Sequence, residues 1–292
     1  MVLASRLGAE FRSLKLLHRC FDNDCYPFDC CSHIIESLPN AIVQYVLSYM
    51  NNAQDVALCN CISKRWKDSL PYLRSLYFPR NSFDNLTGSD TPDDIVLKMI
   101  SLIERLETLV VYSPFSSAGL ASWLAVTGPS LRYLKLRMDN LAEQEVCNDC
   151  PSKLDCLTAA KSLESLKLWG VLMTCSPEWD VFLNLKNLEI VGARLEDPAL
   201  STVLRACPNL TKLVLLGCEG IVVSIELPHL EQCKLDFDGL GNCSFSMKCP
   251  KIEVIEVQGC SWIRVQKTKH LRNLSIANNA GNKYLCISDD LK

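Results

Sequence analysis

The sequence predicts an α/β chain: a small helical module followed by a curved repeat solenoid with a parallel sheet on its concave side. Three observations carry this. A short aliphatic pattern recurs nine times across residues 73–276. From residue 163 onward its starts step by 19 to 25 residues. Before it, the chain changes character and shows two helical patterns separated by a polar turn. The resulting division is a leader over 1–35, a helical module over 36–70 and a solenoid over 71–292.

The leader places Arg6, Arg12, Lys15 and Arg19 against the single acid Glu10, with apolar residues between them. A transit peptide has that look, but a short amphipathic helix or mobile leader fits better with a chain expected to work in the cytoplasm or nucleus. The module opens at Leu38 and Pro39. Proline is favourable at a helix start, where its missing N–H would be unpaired anyway. Ile42, Val43, Val46, Leu47 and Met50 follow at helical spacing, and after the turn at 51–54 a second stripe is expected from Val56, Leu58, Cys59 and Ile62. The segment closes on Ser63, Lys64, Arg65 and Trp66.

Each copy of the repeat has aliphatics at its first, fourth and sixth places, as in Leu163, Leu166 and Leu168. The clearest copies occupy 131–136, 163–168, 185–190 and 210–215, and weaker ones occupy 73–78, 106–111, 230–235, 252–257 and 271–276. Places four and six are two apart, so in a strand they share a face and stack on the same places of neighbouring copies. No single copy buries that face alone, so the array is stable only when stacked. The chain then returns along the convex side. Residues 198–207 fit a helical return, with Leu200, Val203 and Leu204 in phase and Pro208 closing it. The fifth places face outward: Val110, Lys135, Lys167, Glu189, Val214, Lys234, Glu256 and Ser275. Lys135, Lys167, Glu189, Val214, Lys234 and Glu256 are the candidate substrate-binding residues. Their mixed charge does not give the clustered Arg and Lys that a polyphosphate cofactor needs, so a protein ligand is expected and no cofactor.

Two resemblances follow. Cys207-Pro208-Asn209-Leu210 leading to Gly217-Cys218, and Cys249-Pro250-Lys251-Ile252 leading to Gly259-Cys260, look like cysteine-containing leucine-rich repeats. Leu38-Pro39, Ile42-Val43, Val46 to Met50, Asp55 and Ser63 to Trp66, followed by the run 70–78, resemble an F-box motif, and the whole resembles plant F-box proteins with leucine-rich repeats. The departure is Ala41, where that family often carries an acid. The resemblance implies a non-catalytic substrate-recognition subunit of a Skp-cullin-F-box ubiquitin ligase. Leu38, Pro39, Ile42, Val43, Val46 and Leu47 would contact a Skp-type adaptor, and through it a cullin, while the repeats hold an unknown substrate protein. The alternative is a repeat scaffold acting without a ligase.

Other chemistries are poorly supported. A net charge of -3 with dispersed Lys, Arg, Asp and Glu leaves no footprint for a nucleic-acid partner. No stretch approaches about 18 consecutive apolar residues, so no membrane span is expected. Seventeen cysteines, an odd count with no apparent secretory signal, read as reduced thiols. The sequons at Asn85, Asn209, Asn242 and Asn273 read as chance, because Asn209 and Asn273 lie in blocks expected to pack. Cys147, Cys150 and Cys156 have the spacing of half a zinc site without the other half, and His18, Cys20, Cys25, Cys30, Cys31 and His33 lack paired spacing, so no metal is expected. None of His18, His33, His229 and His270 sits in a catalytic motif, and Gly239-Leu240-Gly241 is too short for a dinucleotide fingerprint. The end at 289–292 shows no polar capping unit, which predicts a solenoid cut short.

Overall fold

The computed structural model describes residues 38–62, 64–83, 91–138, 154–173, 175–219, 222–237, 243–266, 269–277 and 284–288. The leader, Cys147, Cys150, Asn85 and Asn242 lie outside them.

Helix α1 spans Asn40–Tyr49, with Pro39 extended at its N-cap, and turns Val43 and Leu47, four residues apart, into the core. After a turn, α2 covers Ala53–Ile62 and α3 covers Lys64–Asp68. Val56, Cys59 and Trp66 are buried. Leu58, expected in the second apolar stripe, is 51% exposed instead. It directly precedes Cys59, and adjacent helical residues point about 100° apart. A 3-10 turn at Leu70–Tyr72 then delivers the chain to β1, Ser75–Phe78.

The solenoid proceeds through α4 (Pro92–Ile100), β2 (Thr108–Val111), α5 (Ser117–Thr127), β3 (Tyr133–Arg137), a 3-10 turn at Asp155–Ala159 and β4 (Ser165–Trp169). Short β5 (Leu172–Met173), β6 (Asn187–Val191), short β7 (Arg194–Leu195) and α6 (Asp197–Arg205) follow. The elements that follow among the described residues are strands: β8 (Lys212–Cys218), β9 (Val222–Ile225), β10 (Gln232–Phe237), β11 (Cys243–Lys248), β12 (Val254–Gln258), β13 (Cys260–Gln266), β14 (Asn273–Ala277) and β15 (Tyr284–Ser288). The expected helical return over 198–207 is α6. Returns through β9, β11, β13 and β15 were not anticipated as strands.

Nine strands form one parallel sheet in the order β1-β2-β3-β4-β6-β8-β10-β12-β14. Its register stacks the fourth places of the nine copies, from Leu76 against Leu109 through Leu134, Leu166, Leu188, Leu213, Cys233 and Ile255 to Leu274. The sixth places stack likewise, from Phe78 to Ile276. Both rows are buried except at the last strand, where Leu274 and Ile276 are partly covered. On the convex side β9, β11, β13 and β15 make a second parallel sheet. One continuous cluster of buried side chains runs from Val43 in α1 to Val265 in β13, so module and solenoid share a core.

Local chemistry sets the corners. Thr91 and Asp94 cap α4 reciprocally, each side chain accepting from the other's backbone N–H at 3.2 Å. Gly170, Gly192 and Gly259 directly follow strands of the large sheet and Gly217 lies near the end of β8, all with φ between 57° and 78°, the left-handed region that favours glycine. At Gly259 there is a second reason: a Cβ would lie 2.1 Å from the Phe237 carbonyl oxygen. The cysteines of the repeat corners serve as small buried groups and weak donors; the Cys249 thiol points at Ile225 O at 3.7 Å. The Asn209 side chain donates to Leu183 O at 2.8 Å. Asn273, expected to pack, is exposed because the third place of its block shares the outward face of the fifth, as Lys212 and Gln232 do on interior strands.

Candidate functional site

Two surfaces are presented, one by the helical module and one by the large sheet. In α1 the burial of Val43 and Leu47 fixes which side of the helix is left over. Pro39 is exposed, Ile42 half-buried, and Leu38 and Val46 partly buried against the core. Val43 and Leu47 are 0% and 1% exposed, so these two candidate contacts present no side-chain surface in this fold. The remaining side carries two tyrosines absent from the expected contact set. Tyr45 and Tyr49 are 46% and 72% exposed, with rings meeting edge to face at 5.0 Å and the Tyr49 hydroxyl donating to that of Tyr45 at 3.0 Å. Leu58 on α2 adds another exposed apolar side chain. Exposed aromatic surface of this kind on one side of a helix is a common mark of a protein partner.

The module is fastened to the sheet. Asn51 O accepts from Tyr77 N at 2.6 Å, and Asn52 bridges Tyr77 in parallel, so the turn between α1 and α2 acts as an extra partner for β1. Gln54 adds two long hydrogen bonds, to Asn81 O and Ser82 O, both at 3.4 Å.

On the large sheet, the fifth places lie side by side across nine strands: Tyr77, Val110, Lys135, Lys167, Glu189, Val214, Lys234, Glu256 and Ser275. All six candidate substrate-binding residues are therefore in one row. Lys167 pairs with Glu189, and Lys234 with Glu256 at 2.8 Å. That partner holds the Lys234 ammonium above its ordinary pKa. Solvent screens such exposed pairs, so they contribute little to stability. Val214 departs from expectation. It is 7% exposed, a short side chain between the longer Glu189 and Lys234 of the flanking strands, which leaves it little contact surface.

The most distinctive feature of this face was not in the expected set. Tyr77 meets Tyr112 edge to face at 5.3 Å, and Tyr112 meets Trp169 edge to face at 5.0 Å, a run of rings reaching from the first strand to the fourth. Lys167 Nζ lies 4.4 Å from the centre of the Trp169 ring, a cation–π contact that holds the indole in place. Burial, with Tyr77 beside it, raises the Tyr112 phenol above its usual pKa. Tyr112 and Trp169 stand one place beyond the six-residue block, on the same face as its third and fifth places. The period-two rule applied one step further finds them.

Among the described residues no group of three or more His, Cys, Asp or Glu is placed to hold a metal. The buried thiols are poorly ionised: burial pushes Cys207 up to about 12 and Cys249 up to about 11, and Cys260 is raised by its hydrogen bond with Cys243 and by burial. They are not nucleophiles at neutral pH. Among the described residues no helix is long and apolar enough to cross a membrane.

No family model matches the chain. It is 57% identical over 252 residues to F-box protein At1g10780 of Arabidopsis thaliana, an alignment covering 86% of this chain and 60% of that one. It is 23% identical over 214 residues to an Arabidopsis thaliana protein described as FBD-associated F-box protein At5g56560, covering 69% of this chain and 48% of that one. The chain thus spans about half to three fifths of the length of these relatives. Among solved structures it is similar to a TLR13-ssRNA13 complex, with a TM-score of 0.45 and 18% identity over 77% of this chain and 34% of that one. The fold rests on the chain's own strand ladders.

Proposed function

We propose that this chain, a relative of plant F-box proteins and built with a leucine-rich-repeat solenoid, is the substrate-recognition subunit of a Skp-cullin-F-box type ubiquitin ligase. The observation that carries the proposal is the half-used helix α1. One side seats the module on the solenoid through Val43 and Leu47, and the other offers Pro39, Ile42, Tyr45 and Tyr49 to a partner. Leu38, Pro39, Ile42 and Val46, joined by the two tyrosines, make up the adaptor-facing surface, and through the adaptor the chain joins a cullin in the cytoplasm or nucleus. The solenoid holds a substrate protein on the open face of its large sheet. No bond chemistry is assigned to this chain. It contributes proximity, since a substrate lysine held near a charged E2 enzyme reacts as if the step were intramolecular.

The test is capture of a purified Skp-type adaptor by the full chain, alongside a Pro39→Ala, Tyr49→Ala variant. Both positions are exposed, so the variant keeps its fold, checked by circular dichroism. Saturable capture, weakened about tenfold or more in the variant as for a central interface residue, is the expected result. Absence of capture by well-folded unaltered chain overturns the ligase reading and leaves a repeat scaffold.

A further inference from the structure

We propose that Cys243 and Cys260 are a site of reversible oxidation, closing into a disulfide that staples β11 to β13, with a low-molecular-weight disulfide such as oxidised glutathione as the oxidant.

The pair is placed by the ladder of the convex sheet. Cys243 opens β11, Cys260 opens β13, and the two are register partners across the parallel pairing of these strands. Neighbouring strands lie about 4.8 Å apart, inside the range of about 4.4–6.8 Å between Cα atoms that a disulfide spans. Both side chains point into the core, at 2% and 1% exposure, and the two thiols are hydrogen-bonded to each other. The register shifts just after this rung, and Ser261, the residue passed over, donates its hydroxyl to Cys243 O at 3.2 Å. That bond fastens the strands at the rung where the thiols meet.

Among the described residues no other cysteine faces a cysteine across a ladder. Cys286 in β15 stands opposite Arg264. Cys233 lies near enough to Cys260 and Cys249 to feel their charge, but it belongs to the large sheet, where its register partners are Leu213 and Ile255.

The chemistry is two successive exchanges. One cysteine thiolate attacks a sulfur of oxidised glutathione, breaks its S–S bond and expels a glutathione thiolate. The second cysteine thiolate then attacks the protein sulfur of that mixed disulfide and expels the other glutathione. The protein gains one S–S bond and the reagent loses one. Two electrons pass from protein to reagent, and the two thiol protons end on the two glutathiones. Burial makes the reaction conditional. The thiolate is the attacking species, and the bond from Cys243 together with burial keeps Cys260 protonated, so exchange runs through separation of the strands. Once formed, the bond joins positions 17 residues apart and removes open states of the strand-backed repeats. An opening is thereby recorded and then prevented.

The test uses the full chain, reduced and then incubated in glutathione buffers of stepped oxidised-to-reduced ratio, both without urea and in urea below the unfolding midpoint so that opening does not limit the reaction. After alkylation, peptides are mapped by mass spectrometry. Cys243 and Cys260 are expected to leave the alkylated pool together, joined in one peptide pair, sooner in urea, and to return on treatment with dithiothreitol. Exposed Cys286 is expected to carry glutathione. Hydrogen exchange in β11 and β13 of the oxidised chain is expected to slow about tenfold or more. Joining of Cys260 to Cys233, separate glutathiones on Cys243 and Cys260, or reduced thiols at both positions in urea while Cys286 is modified would each overturn the proposal. A joined pair with unchanged exchange would overturn the staple.

Discussion

The early and late repeats of the solenoid use the same inner strand but different backs. Ahead of β2 and β3 the chain returns through α4 and α5, and ahead of β8 through α6. After β8 every described return is a strand, and these strands hydrogen-bond to one another in a second sheet. The repeat length explains the difference. Starts of successive blocks are 22 to 33 residues apart up to residue 210 and 19 to 22 apart beyond it. A strand advances about 3.3 Å per residue and a helix about 1.5 Å, so a return crosses the same distance with fewer than half the residues when extended. Short repeats are therefore driven to a strand back, and long ones have residues enough for a helix. The energetic consequence is that late repeats are joined by two hydrogen-bonded ladders, and early ones by one ladder plus side-chain packing such as the Trp123 Nε1 bond to Asp93 O at 3.1 Å.

The largest effects that probe this contrast are core truncations. Trp123→Ala in α5 and Phe245→Ala in β11 each remove a side chain that is 0% exposed, at an expected cost of about 3–5 kcal/mol. In a nearest-neighbour array the loss is felt first in the repeats that touch it. Hydrogen exchange read by mass spectrometry is expected to show Trp123→Ala loosening the helix-backed repeats and Phe245→Ala the strand-backed ones. Uniform loosening by either would break the contrast and make the solenoid a single cooperative unit.

Corner glycines come next. Alanine at Gly192 or Gly259 meets the left-handed backbone, at about 1–2 kcal/mol. At Gly259 crowding against Phe237 O adds about 1–3 kcal/mol, as overpacking does. Denaturant melts should therefore rank Gly259→Ala well below Gly192→Ala in stability. Equal values would mean that the strand-backed corner yields as readily as the open one.

A smaller effect belongs to the α4 cap. Thr91→Ala is expected to lose about 1 kcal/mol. The hydrogen bonds from Thr91 hold the Asp94 carboxyl below its usual pKa, so the cap is at full strength above the ordinary carboxylate range and fades as pH falls through the lowered value. The gap between Thr91→Ala and unaltered chain should narrow in acid, and a gap that widened there would contradict the capping geometry.

Thiol labelling should show the least change in the native state. Exposed Cys286 is expected to react with iodoacetamide at pH 8 ahead of Cys207, Cys233 and Cys249, which are buried and held protonated. Site-resolved labelling of Cys233 as fast as Cys286 would show that the strand-backed repeats open readily.

The inner ladder was legible because each rung repeats a spacing of two within a block, and neighbouring blocks add the same residues at the same places. The strand returns were harder to read. Val222, Val223 and Ile225, or Cys243, Phe245 and Met247, give an alternation only a few residues long, and a short apolar run of that kind does not declare itself strand or helix. On the sheet face, the six-residue block predicts the shared register from Lys135 to Glu256 that the strands show, but stops short of Tyr112 and Trp169, one place further along the strand. Val214 and Leu58 were misjudged because periodicity gives direction, while exposure depends on neighbours: long side chains beside Val214, and the helical angle that separates Leu58 from Cys59.

The bond from Tyr77 N to Asn51 O gives the sheet a zero mark. With the helical turn spliced onto the first strand, each further strand stands about 4.8 Å away along the array, as in any sheet. The Trp169 strand, three steps on, is thereby about 15 Å from the Tyr77 strand. The sheet is a graduated rule, and a partner gripped one repeat earlier or later would move by a fixed increment relative to whatever the helices hold.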